Sequence, residues 1–229
     1  AACAEGVRAQ AAAWLALAQS APDVSGITMA ATAARRRSHL PHRAAIRFDT
    51  RADLLSGLES VAKGSAATGC AIGRPHPDRV SRLAFVFTGQ GSQWAGMGSA
   101  LMAQEPVFRE AMERCAAQID TLAGGSLLDD LARPAETSPL DRTDRAQAGI
   151  FTIQYALTTL LAHYGVTPDC VVGHSCGELA AFQTAGVISL EQACRLVVDR
   201  GACMEAAADA LGEPGAMVAV QVSRADSAD

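Results

Sequence analysis

The stretch VVGHSCGE, residues 171–178, decides the fold of this chain, because it places Ser175 between Gly173 and Gly177 directly after an apolar run. This G-x-S-x-G pattern is typical of a nucleophile elbow, in which the chain leaves a strand, turns sharply and enters a helix. Small residues must flank the serine because the backbone folds so tightly there. The following helix offers free backbone N–H groups that can stabilise an oxyanion. The pattern therefore favours acyl transfer through a serine ester.

The sequence on either side favours the same interpretation. Residues 168–172 predict a turn and a short buried strand, and residues 179–182 continue as a helix that ends near Gly186. Strand, elbow and helix then follow in the required order. The alternative is an ordinary strand-to-helix turn without chemistry, since so short a pattern occurs by chance in many chains.

Composition excludes several classes of function. The chain has 229 residues, of which 49% are hydrophobic, so it can bury the core of a globular protein. A net charge of -5 argues against a nucleic-acid surface, which is usually basic. No apolar run approaches the length of a membrane span, and the N-terminus lacks the pattern of a signal peptide. We therefore expect a cytoplasmic protein that binds neither nucleic acid nor membrane.

The cysteines and histidines indicate neither disulfides nor metal. Seven cysteines and five histidines are scattered without the spacing of a disulfide framework or a zinc site. Most of the cysteines are expected to be small core residues in a reducing compartment. For Cys176 a second interpretation stays open, because a thiol beside Ser175 could be reactive.

The pattern of predicted helices and strands divides the chain into two parts after residue 82. The first part has predicted helices at 9–19, 28–37 and 51–63 and a predicted strand at 44–48. The turn-rich segment 73–78 is the best boundary. The second part has predicted strands at 83–87 and 169–172 and predicted helices at 107–119, 144–164 and from 189 onward. We therefore predict an α/β fold in two domains, 1–82 and 83–229, the second with a parallel sheet and flanking helices.

A glycine loop follows the strand at 83–87 directly, with the sequence GQGSQW at residues 89–94. It is not a dinucleotide fingerprint, because Trp94 stands where the third glycine is needed and no acidic residue follows at the usual distance. The alternative is a loop that exposes backbone N–H groups at the carboxyl end of a strand. Open α/β sheets place their ligands there.

Arg200 lies on the inward side of the helix predicted to begin at Ser189. At ~100° per residue it falls about 60° from Val197, whereas Asp199 points the other way. A guanidinium that faces the core is costly unless it has a partner. Two partners stay open: a carboxylate such as Glu178, or a substrate carboxylate held by both arms of the guanidinium.

Three segments together resemble the acyltransferase domain of type I polyketide synthases, which is related to malonyl-CoA:acyl carrier protein transacylases. They are FTGQGSQW at 87–94, GHSCGE at 173–178 and RGACM at 200–204. The resemblance covers residues 83–229, which would be an incomplete α/β-hydrolase-like large subdomain. Residues 1–82 resemble the small α/β linker domain between ketosynthase and acyltransferase.

The resemblance implies a role for each site residue. Ser175 would take malonyl from coenzyme A and pass it to the phosphopantetheine thiol of an acyl carrier protein, while Arg200 holds the free carboxylate. The backbone N–H groups of Gln90 and Cys176 would form the oxyanion hole. The supporting residues would be His174, Glu178 and Gln147. No cofactor or metal is implied in this domain, and the implied partners are the carrier protein and an upstream ketosynthase.

The resemblance also implies that a residue is missing. The family's general-base histidine lies in a second subdomain, which the strand predicted at 215–220 would enter, so we expect a fragment that alone is weakly active or inactive. His174 does not replace that base, because adjacent residues in an elbow point in different directions. Cys176 and the sequence Arg145-Ala146-Gln147 favour malonyl as the extender unit. Ala148 stands where the family commonly has proline.

Two other functions stay open at this point. The elbow alone would also suit a serine hydrolase of the α/β-hydrolase type, although the glycine loop and the inward Arg200 do not favour one. The chain could also be a scaffold or docking fragment without chemistry.

Overall fold

The computed structural model describes residues 1–65, 67–74 and 82–211 and divides the chain into two compact units, residues 1–81 and 82–229. The division lies within one residue of the boundary that the sequence predicts. The turn-rich segment 73–78 is described only as far as Arg74, and the strand predicted at 215–220 lies outside the described residues.

The first unit packs helices against a two-stranded antiparallel sheet. Its elements are α1 (Ala4–Ser20), α2 (Gly26–Arg35), β1 (Arg43–Ile46), α3 (Arg51–Lys63) and β2 (Cys70–Gly73). Helix α3 begins where the Thr50 side chain and Asp53 form a capping box, and it ends at Gly64, whose φ of 76° suits glycine. The core of the unit consists of apolar residues of the three helices, among them Val7, Ala11, Met29, Leu54, Leu58 and Val61.

The sequence predicts α3 with the bounds that the structure gives it, because both of its ends carry strong signals. Helix α1 begins at Ala4 rather than at residue 9, since its first turn has no apolar periodicity to mark it. Strand β2 is not predicted. It is short and pairs with β1 across the chain, and the sequence of one strand does not reveal such a partner.

The second unit packs helices against one face of a pair of parallel strands. Its elements are β3 (Ala84–Phe87), α4 (Ser99–Gln104), α5 (Pro106–Ala123), α6 (Leu127–Ala132), α7 (Thr143–His163), β4 (Cys170–Gly173), α8 (Gly177–Thr184) and α9 (Leu190–Leu211). Phe87 of β3 lies opposite Gly173 of β4. Because the strands are parallel, the loop after β3 and the elbow after β4 leave the sheet side by side.

Helix α7 lies at the centre of the second unit and packs against α5, α8 and α9. Its bounds differ by one residue from the predicted ones, and Gly165, with a φ of 77°, follows its C-cap as expected. Its own Phe151 is fully buried, and the fully buried side chains around it include Phe108, Met112, Ile119, Cys194 and Val197. This packing fixes α9, which carries Arg200, against the start of α7.

The sequence predicts buried strands, but in the described residues only one face of each strand is covered. Phe85, Phe87 and Val171 point into the core, whereas Val86 and Val172 are 70% and 55% exposed. Side chains alternate between the two faces of a strand, and the described helices cover only one face of this sheet. An apolar run therefore does not reveal whether one face or both faces are covered.

Helices α4 and α6 are also absent from the sequence-based prediction. Each has only six residues, which is too short for a helical period to stand out. Helix α6 has a good start signal, since the Ser126 side chain accepts a hydrogen bond from the backbone N–H of Asp129. None of the helices in the described part of the chain combines the length and the hydropathy that a membrane span requires.

Candidate active site

Ser175 lies in the tight turn between β4 and α8. It is the only non-glycine residue among those described with a positive φ, 54°. Such a backbone costs of order 1–3 kcal/mol and persists only where the surroundings impose it, most often at functional sites. The turn is closed by hydrogen bonds from the backbone N–H of Gly177 to the carbonyl of His174 and from that of Glu178 to the carbonyl of Ser175, both 3.0 Å long. The predicted order of strand, turn and helix is therefore present, with the serine exposed at the turn.

The glycines on both sides of the serine are sterically required. A Cβ on Gly173 would lie 2.4 Å from the Cα of Glu178, and one on Gly177 would lie 2.4 Å from the carbonyl oxygen of Phe87. Both distances involve backbone atoms that cannot move aside, so any side chain would push the start of α8 away from the strands. The two glycines thus allow the helix N-terminus to approach the ends of β3 and β4.

The glycine loop after β3 packs directly on the elbow. A Cβ on Gly89 would lie 2.9 Å from the carbonyl oxygen of His174 and 3.3 Å from the Cβ of Ser175. The Ser92 hydroxyl braces the loop, since it donates to the carbonyl of Gly89 at 3.1 Å and accepts from the Thr88 hydroxyl at 3.0 Å. The loop is therefore held within a few ångströms of the serine.

Two backbone N–H groups near the serine lack a carbonyl partner and can bind an anion. Within residues 82–211, neither the N–H of Gln90 nor that of Cys176 donates to a backbone carbonyl, and both lie near the thiol of Cys176, which is only a weak acceptor. The first belongs to the glycine loop, and the second to the residue that precedes α8. Free N–H groups of this kind are what stabilises an oxyanion in acyl transfer. The family resemblance assigns the oxyanion hole to these two residues, and that role stays a prediction.

The Cys176 side chain is buried and points away from solvent. Burial raises the pKa of its thiol, while the charge of Arg200 and the nearby backbone N–H groups of Gln90 and Gly177 act in the opposite direction. The raised pKa keeps the thiol protonated and poorly nucleophilic. Of the two interpretations left open, a small core residue fits the structure, whereas a reactive thiol does not.

Arg200 reaches the serine from α9. Its Nη2 donates to the Oγ of Ser175 at 3.0 Å, and its Nη1 donates to the Oε1 of Gln147. Among the described residues, no carboxylate lies within 4.0 Å of its guanidinium. The alternative that Glu178 pairs with Arg200 is therefore wrong, because the guanidinium points to the elbow and not to the first turn of α8. A cation that no carboxylate of the described ranges neutralises thus stands beside the candidate nucleophile.

The close approach of α9 to α7 explains why the side chain of Arg200 reaches Ser175. Gly201 is buried, and a Cβ there would lie 2.8 Å from the Cα of Asp144. One turn further on, the Glu205 carboxylate accepts a hydrogen bond of 2.8 Å from the backbone N–H of Thr143, at the start of α7. A carboxylate at a helix N-terminus is favourable. The glycine after Arg200 therefore has a packing role that its sequence position alone does not reveal.

Gln147 connects the arginine to the glycine loop. Its side chain is buried, with 1% of the residue exposed, in the first turns of α7. Besides accepting from Arg200, it donates from Nε2 to the Oε1 of Gln90 and to the Sδ of Met204, both at 3.3 Å. The side chains of Met204 and Gln90 thus belong to the site, although the sequence analysis assigns a role only to the backbone N–H of Gln90 and none to Met204. Met204 could have been found, since it lies one helical turn after Arg200.

His174 and Glu178 stay at the edge of the site. Both residues are exposed, and in the described ranges neither side chain forms a hydrogen bond with Ser175. Glu178 lies in the first turn of α8, where a carboxylate interacts favourably with the helix dipole. No group of three or more potential metal ligands occurs in the part of the chain that the structure describes.

Comparison with known sequences finds one family and many similar proteins. A family model described as acyl transferase domain matches residues 84–228. Polyketide synthase GfsE of Streptomyces halstedii is 40% identical over 201 residues, which are 86% of this chain and 5% of that protein. Erythronolide synthase EryA2 of Saccharopolyspora erythraea is 35% identical over 203 residues, 89% of this chain and 6% of that protein. The chain thus spans only a small part of the curated relatives it matches.

Solved structures resemble the fold. The acyltransferase domain from module 8 of the salinomycin polyketide synthase matches with a TM-score of 0.76 and 31% identity, over 90% of this chain and 48% of that chain. The acyl transferase domain of ZmaA matches with a TM-score of 0.79 and 26% identity, over 90% and 47% of the two chains. These similarities confirm the predicted α/β fold class. The chain spans about half the length of the solved domains.

Proposed function

The chain belongs to the acyl transferase domain family, and on this premise we propose that it transfers a malonyl-type acyl group from coenzyme A to an acyl carrier protein within a polyketide synthase. One observation carries the proposal. The guanidinium of Arg200, which no described carboxylate neutralises, lies 3.0 Å from the Oγ of Ser175. A cation beside a nucleophile suits an acyl group that carries its own carboxylate.

In the proposed reaction Ser175 attacks the thioester carbonyl, so that an Oγ–C bond forms and the serine proton passes to a general base. The carbonyl oxygen becomes an oxyanion, which the backbone N–H groups of Gln90 and Cys176 stabilise. When the carbonyl re-forms, the C–S bond breaks and coenzyme A leaves with a proton. The phosphopantetheine thiol of the carrier protein then attacks the serine ester in the same way and regenerates the serine.

The general base is a separate part of the proposal. Of the histidines, His174 is the nearest to Ser175 along the chain, yet its side chain is exposed and forms no hydrogen bond with the hydroxyl in the described part of the chain. We assign the base to a histidine of the second subdomain that the family resemblance implies. Residues 1–229 on their own should therefore transfer slowly, because a serine nucleophile without its base loses several orders of magnitude in rate.

The partners and substrates follow from the same proposal. Malonyl-CoA and the carrier's phosphopantetheine would be substrates, and the domain itself would bind no cofactor. Residues 1–82 would link the domain to an upstream ketosynthase. Malonyl is preferred over larger extender units in this proposal because of Cys176 and the sequence Arg145-Ala146-Gln147.

Loading of the carrier protein tests the proposal. The full-length protein is incubated with malonyl-CoA, and the mass of its acyl carrier protein domain is measured with the wild type and with Ser175→Ala. We expect malonyl on the carrier only with the wild type. Hydrolysis of neutral esters without any loading of the carrier would instead indicate a serine hydrolase. Turnover of neither substrate class would indicate a scaffold.

A further inference from the structure

The buried side chain of Gln147 forms hydrogen bonds both to Arg200 and to Gln90 of the glycine loop. We propose that Gln147 is a positioning residue, whose amide holds the guanidinium of Arg200 at Ser175 and thereby sets the preference for acyl groups that carry a carboxylate. The inference rests on the proposed function and deepens it. Gln147 itself need not contact the substrate.

The contacts of Gln147 select one orientation of its amide. Its Oε1 accepts from the Nη1 of Arg200, and its Nε2 donates to the Oε1 of Gln90 at 3.3 Å. A flipped amide would set its N–H groups against the guanidinium, which only donates, and its oxygen against the oxygen of Gln90. The orientation of the Gln90 side-chain amide follows in turn, because only its oxygen can accept from the Nε2 of Gln147. The Nε2 of Gln90 then donates to the hydroxyl of Thr143 at 3.4 Å.

The two arms of the guanidinium differ in how easily their partners can be exchanged. Nη1 is bound to Gln147, which is buried within α7 and cannot move away. Nη2 is bound to the hydroxyl of Ser175, which is exposed and belongs to the open side of the turn. A carboxylate is a stronger acceptor for a guanidinium than a hydroxyl is. An incoming malonyl carboxylate would thus replace the serine at Nη2 while Gln147 keeps Nη1 in place, so that one arm of the guanidinium, and not both as the sequence favours, binds the substrate.

The amide also leaves the charge of Arg200 available. An amide oxygen satisfies a guanidinium N–H without neutralising the cation, whereas a carboxylate at the same place would form an ion pair. Replacing Gln147 by glutamate would therefore compete with the substrate carboxylate directly. Replacing it by methionine keeps a similar volume but removes the acceptor, so that Arg200 would lose its fixed arm.

The test compares Gln147→Glu and Gln147→Met with the wild type in the full-length protein, and Gln192→Glu is the matched control. Gln192 lies on the exposed side of α9, where its side chain accepts from the backbone N–H of Ser189, and glutamate performs the same capping role. The values of kcat and KM are measured with malonyl-CoA and with acetyl-CoA. A fluorophosphonate, which needs no carboxylate recognition, reports whether Ser175 remains folded and reactive in each variant.

We expect the KM for malonyl-CoA to rise about 10- to 100-fold in Gln147→Glu, with a smaller rise in Gln147→Met. The reason is that the guanidinium of Arg200 would no longer be held in the position that binds the substrate carboxylate. The loss with acetyl-CoA should be smaller, so that the ratio of malonyl to acetyl transfer falls in both Gln147 variants, whereas Gln192→Glu should stay within about twofold of the wild type with both thioesters. The inference is overturned if both Gln147 variants react with the fluorophosphonate and keep the wild-type ratio of malonyl to acetyl transfer. Failure of the wild type to accept malonyl-CoA would overturn the proposed function instead.

Discussion

The two ends of the candidate site are built in different ways. At the elbow, backbone holds Ser175: side chains on Gly173 or Gly177 would come within 2.4 Å of neighbouring main chain. At the other end, side chains hold Arg200 through contacts that join residues 53 and 25 positions apart. The position of the nucleophile is therefore inseparable from the fold. The arginine end can be altered by single side-chain substitutions while the fold remains.

The largest effect should come from removing the nucleophile while leaving the backbone of the elbow intact. Ser175→Ala should lower malonyl transfer by at least about 10⁴-fold, because no other group forms the acyl ester. Transfer to the carrier protein is measured in the full-length protein, with the exposed Ser99→Ala as control. Transfer by Ser175→Ala at more than a hundredth of the wild-type rate would contradict the assignment.

A change to the elbow backbone should be nearly as severe. In Gly177→Ala the new Cβ would meet the carbonyl oxygen of Phe87, and such overpacking destabilises by about 3 kcal/mol or more. In the control Gly186→Ala, nothing lies within 4 Å of the added Cβ, and only the φ of 72° opposes it, at a cost of about 1–2 kcal/mol. Resistance to trypsin and fluorophosphonate labelling of Ser175 are compared. Equal behaviour of the two variants would refute the steric account of the elbow.

At the arginine end the fold should survive and the selectivity should change. Arg200→Ala should lower kcat/KM for malonyl-CoA about 10²- to 10³-fold, since a charge-assisted contact to the substrate is lost. Transfer from acetyl-CoA should stay within about threefold, because it makes no such contact. Arg195→Ala, on the exposed face of the same helix, is the control. A parallel loss with both thioesters would show that Arg200 acts on the fold or on the serine alone.

The smallest effect concerns the thiol next to the nucleophile. Burial raises the pKa of Cys176, so the fraction of reactive thiolate below that pKa is smaller than for an ordinary cysteine. Cys203 is exposed and serves as the internal comparison. With iodoacetamide at pH 8, we expect peptide mass spectrometry to find Cys203 alkylated at least about tenfold faster. Equal rates would mean that the elbow opens readily.

The local part of the site was predictable from the sequence. The elbow is formed by a few adjacent residues, and the two glycines beside the serine indicate that the backbone there leaves no room for side chains. The inward direction of Arg200 follows from the helical period, which depends on one helix alone. Helix α3 is predicted with its bounds because its apolar residues lie on one face and Gly64 ends it, and the structure adds a capping box at its start.

The remaining features depend on contacts between distant residues. The amide pair Gln90 and Gln147 is 57 positions apart in sequence, and no local pattern indicates that these side chains meet. The exposed face with Val86 and Val172 was missed because an apolar run looks the same whether one face is covered or both. Strand β2 needs its partner β1 to be recognised. In each case the missing information is a tertiary contact.

The most direct test of the central claim is the mass of the peptide that contains Ser175 after brief exposure of the full-length protein to malonyl-CoA. We expect a malonyl ester on Ser175 in the wild type and little or none in Arg200→Ala at the same concentration. An unmodified Ser175 in the wild type, or equal labelling of both proteins, would contradict the claim that this serine and this arginine act together on a carboxylated acyl group.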